Sequence, residues 1–229
     1  GMRWAFASSS TCGSAISADT HAHMPLITVS RMVGAGGAEL AARVAALLGW
    51  QLVDNALVDS VAQRLGVPVA EVVEREEKVP TLVQRIADAL ALGSPEVLNG
   101  RPTTLPPSEE RILEVTANVI EEAVAAGPTV VVGRGAQWVL GERADSLHVF
   151  CYAARAELAA RIAARLSLSL KDAEKYVDES NRQREQYVRS HWNRSWLAQE
   201  NYHLCLNTGW LGIDRAAAIV VQVAREHFG

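Results

Sequence analysis

Three glycines fall within four residues where an apolar run meets a helical pattern, in Leu26-Ile27-Thr28-Val29-Ser30-Arg31-Met32-Val33-Gly34-Ala35-Gly36-Gly37-Ala38-Glu39-Leu40. Glycine tolerates positive φ and lets backbone N–H groups turn inward. A helix starting near Ala38 adds unpaired N–H groups and the positive end of its dipole. Strand, turn and helix in this order read as a phosphate cradle. In the usual phosphate loop a Lys and a Ser or Thr follow the last glycine, and here those places hold Gly37 and Ala38.

The charge that such a loop needs must come from elsewhere in the chain. Only three of the 22 basic residues are lysines (Lys78, Lys171, Lys175), so any phosphate chemistry rests on arginine, which binds phosphate through parallel N–H groups. Arg155, Arg161, Arg165, Arg182, Arg184, Arg189 and Arg194 fall within a span of 40 residues. Spreading transition-state charge over cations is the main task in phosphoryl transfer, and the cluster reads that way. Any single arginine among them is better explained by a solvated helix face paired with Glu157, Glu174, Glu179 or Glu185. Two further places carry polar residues at the ends of apolar runs: Asp54, which is equally well read as a helix N-cap, and Gly133-Arg134-Gly135, whose glycines suggest something approaching the backbone closely. A dinucleotide fingerprint is approached by Gly34-Ala35-Gly36 with an acid 18 residues on at Asp54. It fails at Glu39, where a third small residue is required.

The elements that must position these groups follow from periodicity. After the turn, Leu40, Ala41, Val44, Ala45, Leu47 and Leu48 recur at helical spacing and Gly49 stops the helix. Trp50 to Val53 reads as a second strand, and Leu57 to Leu65 as a helix stopped by Gly66. Residues 67–107 read as a helical insertion with a Pro-rich exit. Ser108 caps an amphipathic helix to about Ala126. Thr129 to Val132 is a buried strand, Gln137 to Leu140 a short helix, Leu147 to Tyr152 a strand, Arg155 to about Arg194 a long charged helical region, Leu204 to Asn207 a last strand, and Ile213 to Glu226 a final helix. Five apolar strands alternating with helices predict a parallel sheet covered on both faces.

Composition narrows the class. The chain has 229 residues, 49% of them apolar, enough for one good-sized core. A net charge of −4 argues against a protein built to wrap nucleic acid. No apolar run reaches the length of a membrane span. Cys12, Cys151 and Cys205 are too few and too far apart for a metal site or a disulfide framework, and the last two read as core residues of a reducing compartment. Residues 1–23 are Ser/Ala/Thr-rich without periodicity and are expected to be a mobile extension, with Met24 a possible natural start and a signal peptide the competing reading. A cytoplasmic protein, monomeric or a homodimer, is expected.

Taken together, the motifs resemble the cytidylate kinase-like proteins of the nucleoside monophosphate kinase group. The matching pieces are Ile27 to Arg31 with Gly34 to Gly37; Leu52-Val53-Asp54; Val131 to Gly135; Val149-Phe150; Asn181 to Arg184; Asn201 to Leu204; and Leu206-Asn207-Thr208, in the same order and over nearly everything after Met24. The resemblance implies a five-stranded parallel sheet of the P-loop nucleoside monophosphate kinase type within residues 24–229, with 67–107 on the monophosphate side and 155–200 as an arginine-rich helical lid. It implies ATP phosphates at Ser30, Arg31, Gly34, Gly36, Gly37 and Ala38, with Arg31 supplying charge in place of the lysine. It places the acceptor between Asp54 and Arg134, and Arg182 and Arg184 around the transferred group as catalytic arginines. Arg161 and Asn181 then belong to the nucleotide and lid side. Gly135 and Asn181 replace acids of the family pattern, and His203 stands where relatives often have Asp. Ala38 offers no hydroxyl to Mg2+, which would be held by the nucleotide and water; no protein metal site is expected.

The reading is therefore ATP-dependent phosphoryl transfer to a nucleoside monophosphate, CMP or dCMP first, or to a related small acceptor. The alternative is a nucleotide-binding module with weak or no catalysis and a regulatory role. Dinucleotide binding is a third, weaker option. His148 is expected to be a satisfied core histidine. The tryptophans at 192 and 196 are expected to be buried under the lid, with base stacking as their other reading.

Overall fold

The computed structural model describes residues 24–54, 63–64, 66, 109–133, 135–140 and 143–229. The extension at 1–23, the insertion at 67–107, Ser108 and Arg134 lie outside the described residues.

Five strands form one parallel sheet: β1 (Leu26–Arg31), β2 (Gln51–Val53), β3 (Thr129–Val132), β4 (Ser146–Tyr152) and β5 (Leu204–Asn207), in the order β2-β3-β1-β4-β5. β1 is central, paired with β3 on one side and β4 on the other, and its first five residues are buried, so it is covered on both faces. Val29 lies opposite Val132 on one side and Val149 on the other. The chain runs outward from β1 to β2, returns through β3, and crosses to β4. That change of direction opens a crevice at the carboxyl end of β1, where open sheets of this kind bind ligands.

Side chains alternate between two covers. Ile27, Val29, Val130, Val132, Leu147, Val149 and Cys151 join the main core. It is closed by α1 (Gly37–Leu48), α4 (Arg155–Leu166), α5 (Leu170–Trp192) and α7 (Ile213–Phe228). Leu26 and Val131 face the other way, onto α2 (Glu109–Ala126) and α3 (Ala136–Val139). Toward β4 this second face turns polar, with Thr28, Ser30 and Ser146 buried beside His148. A fully apolar sheet would not need that.

Two expectations are refined. The helical region from Arg155 is two helices, because Ser167 takes a left-handed conformation (φ 54°) that ends α4 and Ser169 Oγ accepts from Asp172 N–H (3.1 Å) to start α5. A short helix, α6 (Thr208–Leu211), precedes α7, started by Asn207, whose Oδ1 accepts from the N–H groups of Gly209 and Trp210. The Arg155 helices also begin within the body of the protein: Leu158, Ala159, Ile162, Ala173 and Val177 are buried in the main core. Cys151 is buried, and burial pushes its thiol up to about 12; Cys205 is half-buried.

Candidate functional site

The glycine turn connects β1 to α1. Gly34 and Gly36 adopt positive φ (83° and 71°), and the first intrahelical bond runs from Leu40 N–H to Gly36 C=O. The N–H groups of Gly37, Ala38 and Glu39 precede that bond and have no intrahelical acceptor, which leaves an anion-seeking rim at the end of β1.

The turn is braced from two sides. From α5, Asn181 Oδ1 accepts from Val33 N–H (2.9 Å) and Arg184 Nη1 donates to Arg31 C=O (3.1 Å). From the opposite flank, Thr208 Oγ1 donates to Ala35 C=O (2.7 Å), and Arg161 donates to the carbonyls of Gly34 (3.4 Å) and Thr208 (3.1 Å). Arg161 and Arg184 thus carry positive charge to the turn while tying down its carbonyl oxygens. The structure divides the arginine cluster. Arg155 pairs with Glu174 and Asp178, Arg189 with Glu185, and Arg182 with Glu179, all at exposed positions. For those three the solvated-surface reading describes the pairing, although Arg182 also lines a cavity with Met32 and Asn181 beside the turn.

Arg31 explains the odd sequence of the loop. A Cβ on Gly37 would lie 2.5 Å from Arg31 Cβ and 2.7 Å from Cγ, and a Cβ on Gly133 would run into Arg31 Nη1. The arginine stem therefore crosses the place where a lysine following Gly36 would begin, and its guanidinium lies against the turn after β3. Gly37 is glycine because Arg31 occupies its side-chain space. Arg31 thus brings a guanidinium to the loop from the strand before it.

The remaining expected residues land as follows. Ser30, expected at the phosphates, donates its hydroxyl to Gln137 Oε1 (2.8 Å), so that oxygen is engaged on the second face of the sheet. Ala38 is exposed on the first turn of α1. Asp54 follows Val53, which pairs with Val131, so it emerges next to the end of β3 on the crevice side. Arg134 lies outside the described residues, but Gly133 and Gly135 flank it with positive φ (70° and 64°). A cavity of about 610 Å³ beside the turn is lined by Gly34, Gly36, Arg161, Arg165 and Ile213.

Sequence reasoning missed the role of Gln137 and the contact of Trp192 with Gly135; Thr208, quoted from the sequence only as part of a motif, braces the glycine turn. A Cβ on Gly135 would overlap the Trp192 ring, which also stacks on Trp138 (centroids 5.4 Å, 27°). Trp196 is buried as expected, edge-on to Phe150 (5.4 Å), but Trp192 is only half-buried. Gln137 is 6% exposed, and its Nε2 has no hydrogen-bond partner among the described residues, which ordinarily costs about 1–3 kcal/mol. The nearby Tyr202 hydroxyl donates to Trp196 C=O (2.7 Å), and burial raises its pKa. His148 is satisfied, as expected. Ser146 Oγ spends its proton on Arg143 C=O, so His148 Nε2–H donates to Ser146 and Nδ1 accepts from Thr28 Oγ1. Burial first, then the stacked His203 (4.9 Å), holds its pKa at about 4, so the ring is neutral.

A parallel sheet with a glycine turn at the end of its central strand is the P-loop kinase fold. Among solved structures the chain is similar to an uncharacterized protein from Eubacterium ventriosum, at 17% identity and TM-score 0.63 over 88% of this chain and 98% of that one. It is also similar to a shikimate kinase from Bacteroides thetaiotaomicron, at 14% identity and TM-score 0.50 over 88% and 99% of the two chains. No curated protein matches the sequence at a significant level. The model of the cytidylate kinase-like family matches residues 26–209, and the chain belongs to that family.

Proposed function

We propose that this kinase-like protein transfers a phosphoryl group from ATP to a nucleoside monophosphate, with CMP and dCMP the first candidates. The observation that carries the reading is the placement of Arg31, whose stem fills the loop-lysine position and whose guanidinium faces the turn after β3. That is where donor and acceptor phosphates of such a reaction would meet.

The residues present fit a bound triphosphate. The N–H groups of Gly37, Ala38 and Glu39 offer donors, Arg31 and Arg161 offer charge, and the 610 Å³ cavity beside the turn has room for the rest of the nucleotide. Bound there, ATP supplies the phosphoryl group and its leaving group. Arg31 neutralises charge between donor and acceptor, Arg134 holds the acceptor phosphate with Asp54 beside it, and Arg184 and Asn181 keep the turn in shape. Arg182 would have to leave Glu179 to reach the transferred group. Catalysis then consists of positioning and charge neutralisation, without a covalent intermediate. A protein-held Mg2+ does not fit: Ala38 has no hydroxyl, Ser30 is engaged with Gln137, and no cluster of metal-binding side chains occurs among the described residues. Any Mg2+ would arrive on the nucleotide.

A specific observation keeps the second reading, a nucleotide-binding module without turnover, in play: Arg182 is engaged with a glutamate and the loop lacks its hydroxyl. Purified protein incubated with ATP and a panel of monophosphates decides between them. Conversion of CMP or dCMP, sharply reduced in Arg134→Ala, is expected for the kinase. Stabilisation by ATP with no transfer to any acceptor would establish the module instead.

A further inference from the structure

Gln137 stands where an apolar side chain would serve the fold as well. Its neighbours on α3, Ala136, Val139 and Leu140, pack into the second core, and Gln137 itself is buried among them. Its Oε1 accepts from the hydroxyl of Ser30 (2.8 Å), which is buried too. Its Nε2 is shut away beside the Tyr202 hydroxyl and has no hydrogen-bond partner among the described residues. That hydroxyl donates to Trp196 C=O instead (2.7 Å). A buried amide with one end unpaired lowers stability, and an apolar pair in place of serine and glutamine would not carry that penalty. Stability therefore does not account for this pair.

Its place in the fold does. Backbone pairing of β1 with β3 ends where Val29 lies opposite Val132 and Gly133 N–H donates to Val29 C=O (3.0 Å). Past that point the two chains part around the crevice. Ser30 is the next residue on one side. Gln137 belongs to the helix that grows out of the turn on the other, where Ala136 N–H bonds to Gly133 C=O (3.1 Å) and Trp138 N–H to Gly135 C=O (2.7 Å). The bond between them, 107 residues apart in sequence, therefore spans the crevice beside Arg31, whose Nη1 reaches Gly133 from the following position of β1. The same strand end is tied to α5, since Arg184 Nη1 donates to Arg31 C=O (3.1 Å). One residue on, Glu185 accepts from Trp196 N–H (2.9 Å), whose carbonyl holds Tyr202.

We propose that Ser30 and Gln137 are a pair of positioning residues: by bolting the end of β1 to the helix after the Gly133–Gly135 turn, they hold the Arg31 guanidinium at the place where phosphates meet. The proposal rests on the reading of Arg31 given above and adds the device that fixes it. Neither residue touches the substrate; both act through Arg31. The unpaired Nε2 is the stability given up for that placement.

The test replaces both partners at once, Ser30→Ala with Gln137→Leu, in the full chain and again in an Arg31→Ala background. Turnover with ATP and CMP, ATP affinity by heat of binding, and the chemical denaturation midpoint are measured for wild type and all variants. The double variant should be at least as stable as wild type, yet its kcat should fall roughly tenfold to a hundredfold, the scale of a misplaced catalytic group, with the KM for CMP within about twofold. In the Arg31→Ala background the same replacement should cause no further loss. A double variant that turns over within twofold of wild type would overturn the proposal. So would one that loses stability along with activity, since the pair would then only pack, or one whose loss adds in full to that of Arg31→Ala. If wild type binds ATP but transfers to no acceptor, the kinase reading fails alone. The same cycle is then read in ATP affinity, where a loss confined to chains that keep Arg31 upholds the bolt and an absent or additive loss overturns it. A wild type that binds no ATP sinks both.

Discussion

The two flanks of the crevice at the end of β1 are built in opposite ways. Around the glycine turn the carbonyls are held while the N–H groups of Gly37, Ala38 and Glu39 stay open to a ligand: Asn181 takes Val33 N–H, Arg184 takes Arg31 C=O, Thr208 takes Ala35 C=O, and Arg161 takes Gly34 C=O. On the second face of the sheet Gln137 Oε1 accepts from Ser30, while its Nε2 is buried with no hydrogen-bond partner among the described residues. A site that stabilises developing charge gains from dipoles fixed in advance, since none must be reorganised during the reaction. A glycine turn without lysine or hydroxyl is thus braced, and given positive charge, by its neighbours.

The contrast breaks most sharply at Arg31. Arg31→Ala should lower turnover by about 10²–10³-fold, the size of one lost transition-state contact, with helix content unchanged by circular dichroism. A turnover within twofold of wild type would show that Arg31 only packs. Next comes Gly37→Ala, where the new methyl meets Arg31 Cβ and Cγ, atoms too near the backbone to swing away. Chemical denaturation should report a loss of about 1–3 kcal/mol, together with weaker ATP binding.

Thr208→Val tests the brace itself. It removes the bonds to Ala35 C=O (2.7 Å) and Tyr152 C=O (3.2 Å) while keeping the shape, and about 1–2 kcal/mol of stability should be lost. The KM for ATP should rise more than the KM for the acceptor; an equal rise in both would blur the two-flank division.

On the second face of the sheet, pH is the sharper tool. His148 has its pKa held at about 4 against an ordinary 6.5, chiefly by burial and then by His203. The folded state therefore binds fewer protons than the unfolded state between those values. Its contribution is fully present above 6.5 and is lost as pH falls from 6.5 toward 4. His148→Gln should flatten that acid limb in denaturation curves recorded from pH 7 to 4.5, whereas Arg43→Ala should leave its slope alone. The Arg43–Asp214 pair joins α1 to α7 at an exposed position and should contribute under about 1 kcal/mol, less in high salt.

What the sequence determined alone was whatever is local or periodic. The five strands, the turn after β1 and the helices around them were legible because a fully apolar run, a glycine cluster and a 3.6-residue spacing each carry their own physical cause within a few residues. The break between α4 and α5 was legible in principle, since Ser167 to Ser169 carry a capping residue, but continuous charge hid it. The family was legible from short motifs in order. The tertiary structure alone decided which of seven arginines face the turn, because side chains 120 residues or more apart in sequence, Arg161 beside Gly34 and Arg184 beside Arg31, meet only when β1 and β4 pair and α4 and α5 pack. It also decided why Gly37, Gly133 and Gly135 are glycines: their side-chain space belongs to Arg31 and Trp192, and excluded volume between distant residues leaves no mark in a linear sequence.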